Sequence, residues 1–339
     1  MIEWIKNKVS LWFPLSLSVF VAYAIQRGGL AVSKTGMVPE WFGGGLRIYF
    51  LTIAVTMVFC GVLMDNVRSK TAMLLATILG SIGLLATAYV PITSGEMTPW
   101  VFGICMGIAA TLIKIIPFSS PMKIYNENES LKVAPQASAK NFGAGVFVFL
   151  LPIIIASISW TGIAVGLSLV FFLSGILVYL IMPDDKIVGW DIKIFPILFK
   201  DWQFWAVMSY FFIMVGFFYR ILPKFLPAMK AAGIEDASLL LALSFVLAGI
   251  LRWPFAGIGK EIGYWNITFI GLAIMIFSVV LIPIDPVLAL FTFTVGGATH
   301  TPNYWAGCKD LWGSKYIATV LGLGYTAMYL GGGVLMGTW

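Results

Sequence analysis

Gly61-Val-Leu-Met-Asp65-Asn-Val-Arg68-Ser-Lys70 separates two long apolar segments of the chain. A glycine lets two helices approach closely, and a carboxylate at a helix end can accept hydrogen bonds from the N-terminal amides of a neighbouring helix. Such a modest contact can hold one conformation and be released in another. We therefore expect Gly61, Asp65 and Arg68 to act in gating; the simpler alternative is that the charges only mark membrane topology.

A weaker copy of this stretch recurs as Gly257-Ile-Gly-Lys-Glu261, again with a glycine four residues before a carboxylate. Arg27 precedes Asp65 by 38 residues and Arg220 precedes Glu261 by 41 residues. The same order at nearly the same interval predicts two halves in parallel topology, related by an axis along the membrane normal.

Composition sets the class of the protein. Of 339 residues, 60% are hydrophobic and 11% are charged, and the mean hydropathy is +0.96, which excludes a soluble domain of this size. The net charge of +6 comes from basic residues scattered over the loops, so we expect a lipid bilayer and no nucleic acid as partner. Without a nucleophile and base pair, a metal-ligand spacing or a Walker motif, we expect no enzyme, no metal and no cofactor.

Eleven apolar runs are long enough to cross a bilayer, and no strand alternation accompanies them. They cover residues 10–32, 46–64, 71–91, 98–118, 141–159, 162–182, 203–224, 238–256, 264–283, 286–306 and 316–337. A polar break divides the chain into an N-terminal six-helix bundle (1–182), a cytoplasmic interfacial linker (183–202) and a C-terminal bundle of five spans (203–339). The basic residues divide thirteen against four between the two sides, which predicts a cytoplasmic N-terminus in a prokaryotic inner membrane.

Three cations lie inside predicted spans, Arg27, Lys114 and Arg220, and Lys140 opens the fifth span. No Asp or Glu occupies a span interior, and an arginine at bilayer depth costs about 2.5–3.5 kcal/mol on insertion scales. A bound anion would offset that cost, and the arginine fork matches phosphate or carboxylate. The alternative for Arg27 and Arg220 is that both snorkel to the membrane surface. Two lesser expectations are that Lys123 lies on a solvated face and that His300 is a satisfied buried polar group.

The stretch Gly61-x-x-x-Asp65-x-x-Arg68-x-Lys70 resembles the signature loop of the major facilitator superfamily, and Gly257 and Glu261 stand where that family carries its second copy. Arg252 matches a pattern of the family's eighth helix, and Gly322-x-Gly324 is similar to its glycine-rich eleventh helix. The resemblance implies two helical bundles around a central cavity and rocker-switch alternating access, with Gly257, Glu261 and Arg252 as further gating elements. The family usually has twelve helices, so we expect another chain or a missing segment to supply the twelfth.

Within that superfamily, the stretch Tyr23-x-x-x-Arg27 and the pair Tyr219-Arg220 resemble the phosphate-binding positions of the organophosphate:phosphate antiporters. Lys140 stands where that family has a histidine, while the oxalate, formate and monocarboxylate carriers stay open as alternatives. The resemblance implies a secondary transporter, an antiporter for a small anion bound by Arg27, Arg220, Lys140, Lys114, Tyr23 and Tyr219. The alternative is a sensor or assembly subunit with the same fold that transports nothing.

Overall fold

The computed structural model describes residues 12–29, 40–89, 97–124, 129–184 and 194–336, and the regular structure in these ranges is helical throughout. In chain order the helices are α1 (Trp12–Tyr23), α2 (Phe42–Asn66), α3 (Ser69–Tyr89), α4 (Met97–Ile124), α5 (Glu129–Ser157), α6 (Trp160–Ile181), α7 (Ile194–Lys200), α8 (Trp202–Ala231), α9 (Ala237–Ile262), α10 (Tyr264–Leu281), α11 (Pro286–Ala298), α12 (His300–Trp312) and α13 (Ile317–Met336). A π-helical turn, Ala24–Gly28, continues α1.

The helices confirm an all-α polytopic membrane protein. Across the described ranges, each of the eleven predicted spans coincides with a helix or, for the tenth, with the pair α11 and α12. Seven of the described helices are long and apolar enough to cross a membrane. Large apolar side chains on the outside of the bundle, such as Phe59 (72% exposed) and Phe277 (58% exposed), suit contact with lipid chains. The short helix α7 falls within the predicted interfacial linker.

The predicted tenth span is broken because Thr301 leaves helical geometry (φ −88°, ψ 123°) just before Pro302. Proline lacks the N–H that would continue the helical hydrogen bonds and disfavours helical geometry in the residue before it. The break frees backbone groups at membrane depth, which is tolerated where they face protein or a cavity. The second piece, α12, also runs past the predicted end at residue 306 to Trp312.

Two close helix pairs join the first six helices to those that follow α7. In the first pair, α2 packs on α13, and a Cβ added at Gly61 would lie 2.8 Å from the carbonyl oxygen of Ala318 and 3.1 Å from the Cα of Gly322. In the second pair, α5 packs on α9, where the hydroxyl of Ser138 donates to the carbonyl oxygen of Gly249 at 2.7 Å. Small residues permit such close backbone approach. Residues of α5, α9 and α13 also line a cavity.

Candidate functional site

Arg27 lies on the π-helical turn that continues α1. π-turns within helices are rare and often occur at functional sites. Its Nη1 donates to Oδ1 of Asn141 on α5 at 2.9 Å, and its guanidinium lies 4.8 Å from the ring centroid of Phe218 on α8. Its Nε has no hydrogen-bond partner within the described residues. The predicted stretch around Arg27 therefore brings a guanidinium with spare donors to the centre of the bundle.

Arg252 on α9 lies at the same centre and is 3% exposed. Its Nη1 donates to the carbonyl oxygen of Thr301 at 2.6 Å, which is available because the helix breaks there. The Nε of Arg252, like that of Arg27, has no partner in the described part of the chain. The resemblance assigned Arg252 of the eighth helix to gating, and the structure places it in α9, beside the cavity.

Lys140 on α5 completes a set of three cations around one cavity of about 50 Å³. Its Nζ donates to the hydroxyl of Thr301 at 3.1 Å, so the helix break at Thr301 contacts both Lys140 and Arg252. The cavity is lined by Tyr23, Arg27, Lys140, Met214, Val215, Phe218, Arg252, Met275, Gly297, His300, Thr301, Tyr304, Tyr325, Met328 and Tyr329. A second, smaller cavity shares Arg27 and Arg252 with the first.

Lys114 on α4 is fully buried behind this cavity and does not line it. Its Nζ donates to the hydroxyl of Tyr49 at 3.2 Å and lies 4.9, 5.4 and 5.6 Å from the ring centroids of Tyr23, Tyr49 and Tyr329. Gln26 donates a hydrogen bond to the hydroxyl of Tyr329 at 2.7 Å, which holds one of these three rings in place. Aromatic faces attract a cation but carry no negative charge that would neutralise it. Lys114 thus adds positive potential to the cavity from behind Tyr23.

No carboxylate accompanies these four cations within the described residues. Asp65 is the one buried acidic side chain there, and its ion-pair partner is Lys123 at 2.8 Å. Buried cations without counter-charges are costly, and the low dielectric of a protein interior strengthens their attraction for an anion. In the described part of the chain, no acidic side chain therefore lies beside Arg27, Lys114 or Lys140.

The structure brings together Tyr23, Arg27 and Lys140 of the predicted substrate-binding residues and sets Lys114 directly behind them. It does not bring Arg220 into either of the two cavities: the Arg220 side chain is exposed on α8. The side chain of Tyr219 lies outside the described residues. Arg252 therefore stands opposite Arg27 where the repeat argument expected Arg220. Arg252 was overlooked in this role because it was counted among loop cations, although it lies within the predicted span 238–256.

Asp65 occupies a well-defined contact at the end of α2. Its Oδ2 accepts hydrogen bonds from the backbone amide of Thr319 at 2.9 Å and from the hydroxyl of Thr319 at 2.6 Å, in the first turn of α13. Lys123, at the end of α4, pairs with Asp65 at 2.8 Å, and its side chain is 6% exposed. The expectation that Lys123 lies on a solvated face is therefore wrong, since its charge is needed beside a buried carboxylate.

The remaining predicted gating residues lie in more open positions. Arg68 is 3.8 Å from Asp184, which also pairs with Lys70 at 2.8 Å, on the exposed end of the bundle. Glu261 is exposed, and a Cβ added at Gly257 would meet no atom within 4 Å. The second copy of the loop therefore lacks the close helix approach that Gly61 makes, although both copies match in sequence.

A bundle of spanning helices around a central charged cavity suits a membrane transporter. The chain belongs to the Major Facilitator Superfamily, whose family model matches residues 19–336. It is therefore a transporter of that superfamily and not an enzyme, and the resemblance that rested on Gly61, Asp65 and Arg68 is confirmed. Family membership does not favour the alternative of a sensor or assembly subunit.

Solved structures agree on the fold. The chain is similar to FucP in the outward conformation, with a TM-score of 0.67 and 15% identity over 97% of this chain and 91% of that chain. It is also similar to a variant of the E. coli fucose:proton symporter FucP, with a TM-score of 0.69 and 15% identity over 96% of this chain and 90% of that chain. For the proton:xylose symporter XylE, the TM-score is 0.69 and the identity is 13% over 96% of this chain and 86% of that chain. No curated protein matches. At these identities the likeness shows the fold alone, and none of these matches supports the organophosphate:phosphate antiporters in particular.

Proposed function

We propose that this transporter moves a small anion by alternating access. The observation that carries the proposal is the group of Arg27, Lys140 and Arg252 around one cavity, with Lys114 behind it and no carboxylate in the described surroundings. A neutral sugar would leave these charges uncompensated in the membrane interior. A bound anion offsets these charges, and the guanidinium groups of Arg27 and Arg252 match the oxygens of a phosphate or carboxylate.

The size of the cavity favours a compact substrate. The cavity of about 50 Å³ is small beside the roughly 300–1,000 Å³ of typical ligand pockets. A tetrahedral oxyanion or a carboxylate of two or three carbons suits this space better than a hexose phosphate does. The organophosphate expectation depended on Arg220 as partner of Arg27, and with Arg252 in that place it loses its main support; phosphate itself and short carboxylates stay in the proposal.

Exchange of one anion for another follows from the same charges. When the cavity is empty, three cations line it at close quarters, and closing it removes the water that screens their repulsion. With an anion bound, that repulsion is reduced, so the loaded protein changes conformation more readily than the empty one. We therefore infer antiport, with the Asp65 and Thr319 contact as the gate that holds one end of the bundle closed.

The test measures anion binding and anion flux with the full chain. In purified protein, an anion that binds the native state raises the melting temperature, and flux is followed in proteoliposomes. The panel contains phosphate, sulfate, nitrate, oxalate, glycolate and lactate, with glycerol phosphate, fucose and xylose for comparison. We expect one or more compact anions to bind, and both Arg27→Ala and Arg252→Ala to weaken that binding by about 10- to 100-fold, the value of a charge-assisted hydrogen bond.

Two further variants test whether the loss of binding is specific to the cavity and which arginine acts together with Arg27. Arg47→Ala is the matched control, because Arg47 is an exposed arginine on α2 that does not line the cavities. Arg220→Ala separates the two pairings: unchanged binding supports the site around Arg252, and a loss equal to that of Arg27→Ala supports the pairing expected from the sequence. Binding of fucose or xylose with a silent anion panel would refute the anion proposal.

A further inference from the structure

His300, the single histidine of the chain, lies at the start of α12 and lines the cavity that the three cations share. It is 3% exposed, and its ring lies almost parallel to the ring of Tyr210, with the ring centroids 6.2 Å apart and an angle of 10° between the planes. Its position is therefore set by a neighbour on α8 as well as by its own helix. A polar group that is buried in this way normally has hydrogen-bond partners on both ring nitrogens.

One of the two nitrogens has such a partner. Nδ1 lies 2.9 Å from the carbonyl oxygen of Gly296. A carbonyl oxygen only accepts hydrogen bonds, so Nδ1 carries the ring proton and donates it. The hydroxyl of Thr299 also donates to that carbonyl, at 2.8 Å, and presents its oxygen 3.3 Å from Nδ1, which agrees with this tautomer.

The other nitrogen, Nε2, has no hydrogen-bond partner anywhere in the described residues. With the proton on Nδ1, Nε2 is a free acceptor. A second ring proton on Nε2 would add a further positive charge to a cavity already lined by Arg27, Lys140 and Arg252. A buried acceptor without a donor is costly, and the expectation that His300 is a satisfied buried group is therefore only half met.

We propose that Nε2 of His300 accepts a hydrogen bond from the substrate, so that the transported anion carries a hydroxyl donor. This inference rests on the proposed anion function and narrows its substrate class. The cations bind the negative charge, and His300 selects anions with an O–H group over isosteres without one. A cationic donor such as an ammonium group does not fit, because the same three side chains would repel it. Two sources share this chemistry, the short 2-hydroxycarboxylates and monohydrogen phosphate.

Matched pairs of anions test the inference. Glycolate and acetate differ by the hydroxyl, and near neutral pH phosphate carries a proton that sulfate lacks. We expect the parent protein, purified as the full chain, to prefer the donor-bearing member of at least one pair by roughly 3- to 10-fold, the value of one hydrogen bond. A preference within the carboxylate pair assigns a hydroxycarboxylate, and one within the oxyanion pair assigns phosphate. Either result supports the proposal.

Variants of His300 assign the effect to its ring. His300→Phe keeps an aromatic ring to stack on Tyr210 and removes the acceptor, so the preference for the donor-bearing anion should vanish. His300→Gln offers an amide oxygen at about the reach of Nε2, so part of the preference should return. If His300→Phe fails to fold, the His300→Gln variant and the ratio of binding within each anion pair in the parent protein still test whether His300 is the acceptor.

Two outcomes overturn the inference in different ways. Equal binding within both pairs, with binding still lost in Arg27→Ala, refutes the role of His300 and leaves the anion function intact. If none of the four anions binds to the parent protein while xylose or fucose does, the anion function and the inference are both refuted. A preference in the parent that persists unchanged in His300→Phe refutes His300 as the acceptor.

Discussion

Asp65 on α2 and Thr319 on α13 are joined by two hydrogen bonds, from the amide at 2.9 Å and from the hydroxyl at 2.6 Å, although 254 residues separate them in the chain. The carboxylate meets the first turn of α13, where the helix has unpaired amides and a partial positive charge. Lys123 on α4 adds an ion pair from the other side. The contact therefore links three helices at one end of the bundle.

Loss of the charge at Asp65 should destabilise this end of the protein. Asp65→Asn leaves Lys123 buried without a counter-charge, and removing one partner of a buried pair costs about 3 kcal/mol or more. Adding Lys123→Met should recover a large part of the loss, since it removes the uncompensated cation. Thermal unfolding of the two single variants and the double variant measures the coupling. Additive losses would show that the pair is not coupled.

Gly61→Ala should separate α2 from α13. An added Cβ would meet backbone atoms of Ala318 and Gly322 at 2.8 and 3.1 Å, and backbone cannot move aside as a flexible side chain can. We expect a loss of about 1–3 kcal/mol in stability and a slower exchange of anion. Gly257→Ala is the matched control, because open space surrounds Gly257. The control should be neutral or stabilising by up to about 1 kcal/mol, as for Gly replaced by Ala in a helix. Equal losses would refute the close approach as the cause.

The ion pairs of Asp184 should contribute a small, pH-dependent effect. A hydrogen bond from Lys70, together with the charge of Arg68, lowers the pKa of Asp184 below its usual value of 3.8. A carboxyl whose pKa is lower in the folded state stabilises the fold above the unfolded value and loses that effect as the pH falls through the folded pKa. The difference in melting temperature between the parent and Asp184→Asn should thus be present at neutral pH, decline as the pH falls below 3.8, and vanish once the pH is below the lower pKa of the folded protein or in high salt. A difference that persists in both conditions would contradict the ion pairs as its source.

The sequence was sufficient for the spans and for three of the residues that line the cavity. In lipid, an apolar run of bilayer length forms a helix, because its backbone groups must be paired within the segment. Arg27 stood out because a cation inside such a run is costly. Lys140 followed from the same reasoning, whereas Tyr23 was predicted from the resemblance to the organophosphate:phosphate antiporters. These features depend on local composition, which can be read directly from the sequence.

The partner of Arg27 could not be found in this way. Arg252 and Arg220 both lie in apolar runs, and only the packing of the helices decides which of them lines the cavities together with Arg27. The repeat argument chose Arg220 because it matched intervals along the chain, while the structure has Arg252 bonded to a carbonyl that a helix break exposes. The stretch Thr301-Pro302 was a sequence signal for that break. Lys123 was likewise misjudged, because its buried partner Asp65 lies 58 residues away.

Lys140 and Lys114 should differ in their effect on anion binding, although both are buried lysines without carboxylate partners in the described ranges. Lys140 lines the cavity, whereas Lys114 lies behind it in contact with three tyrosine rings. We expect Lys140→Met to weaken binding of the best anion by about 10- to 100-fold, as for a lost charge-assisted contact. Lys114→Met should weaken it by less than about 10-fold, because Lys114 acts on the anion through its charge alone.

Thermal unfolding without anion gives an independent check on Lys114. Removing a buried charge that has no counter-ion relieves its desolvation cost and its repulsion from Arg27 and Lys140. Lys114→Met should therefore unfold at a temperature equal to or above that of the parent in anion-free buffer, while gaining less stability than the parent when the anion is added. A lower melting temperature without anion, or a loss of binding larger than that of Lys140→Met, would make Lys114 a direct ligand and would require the cavity to extend behind Tyr23.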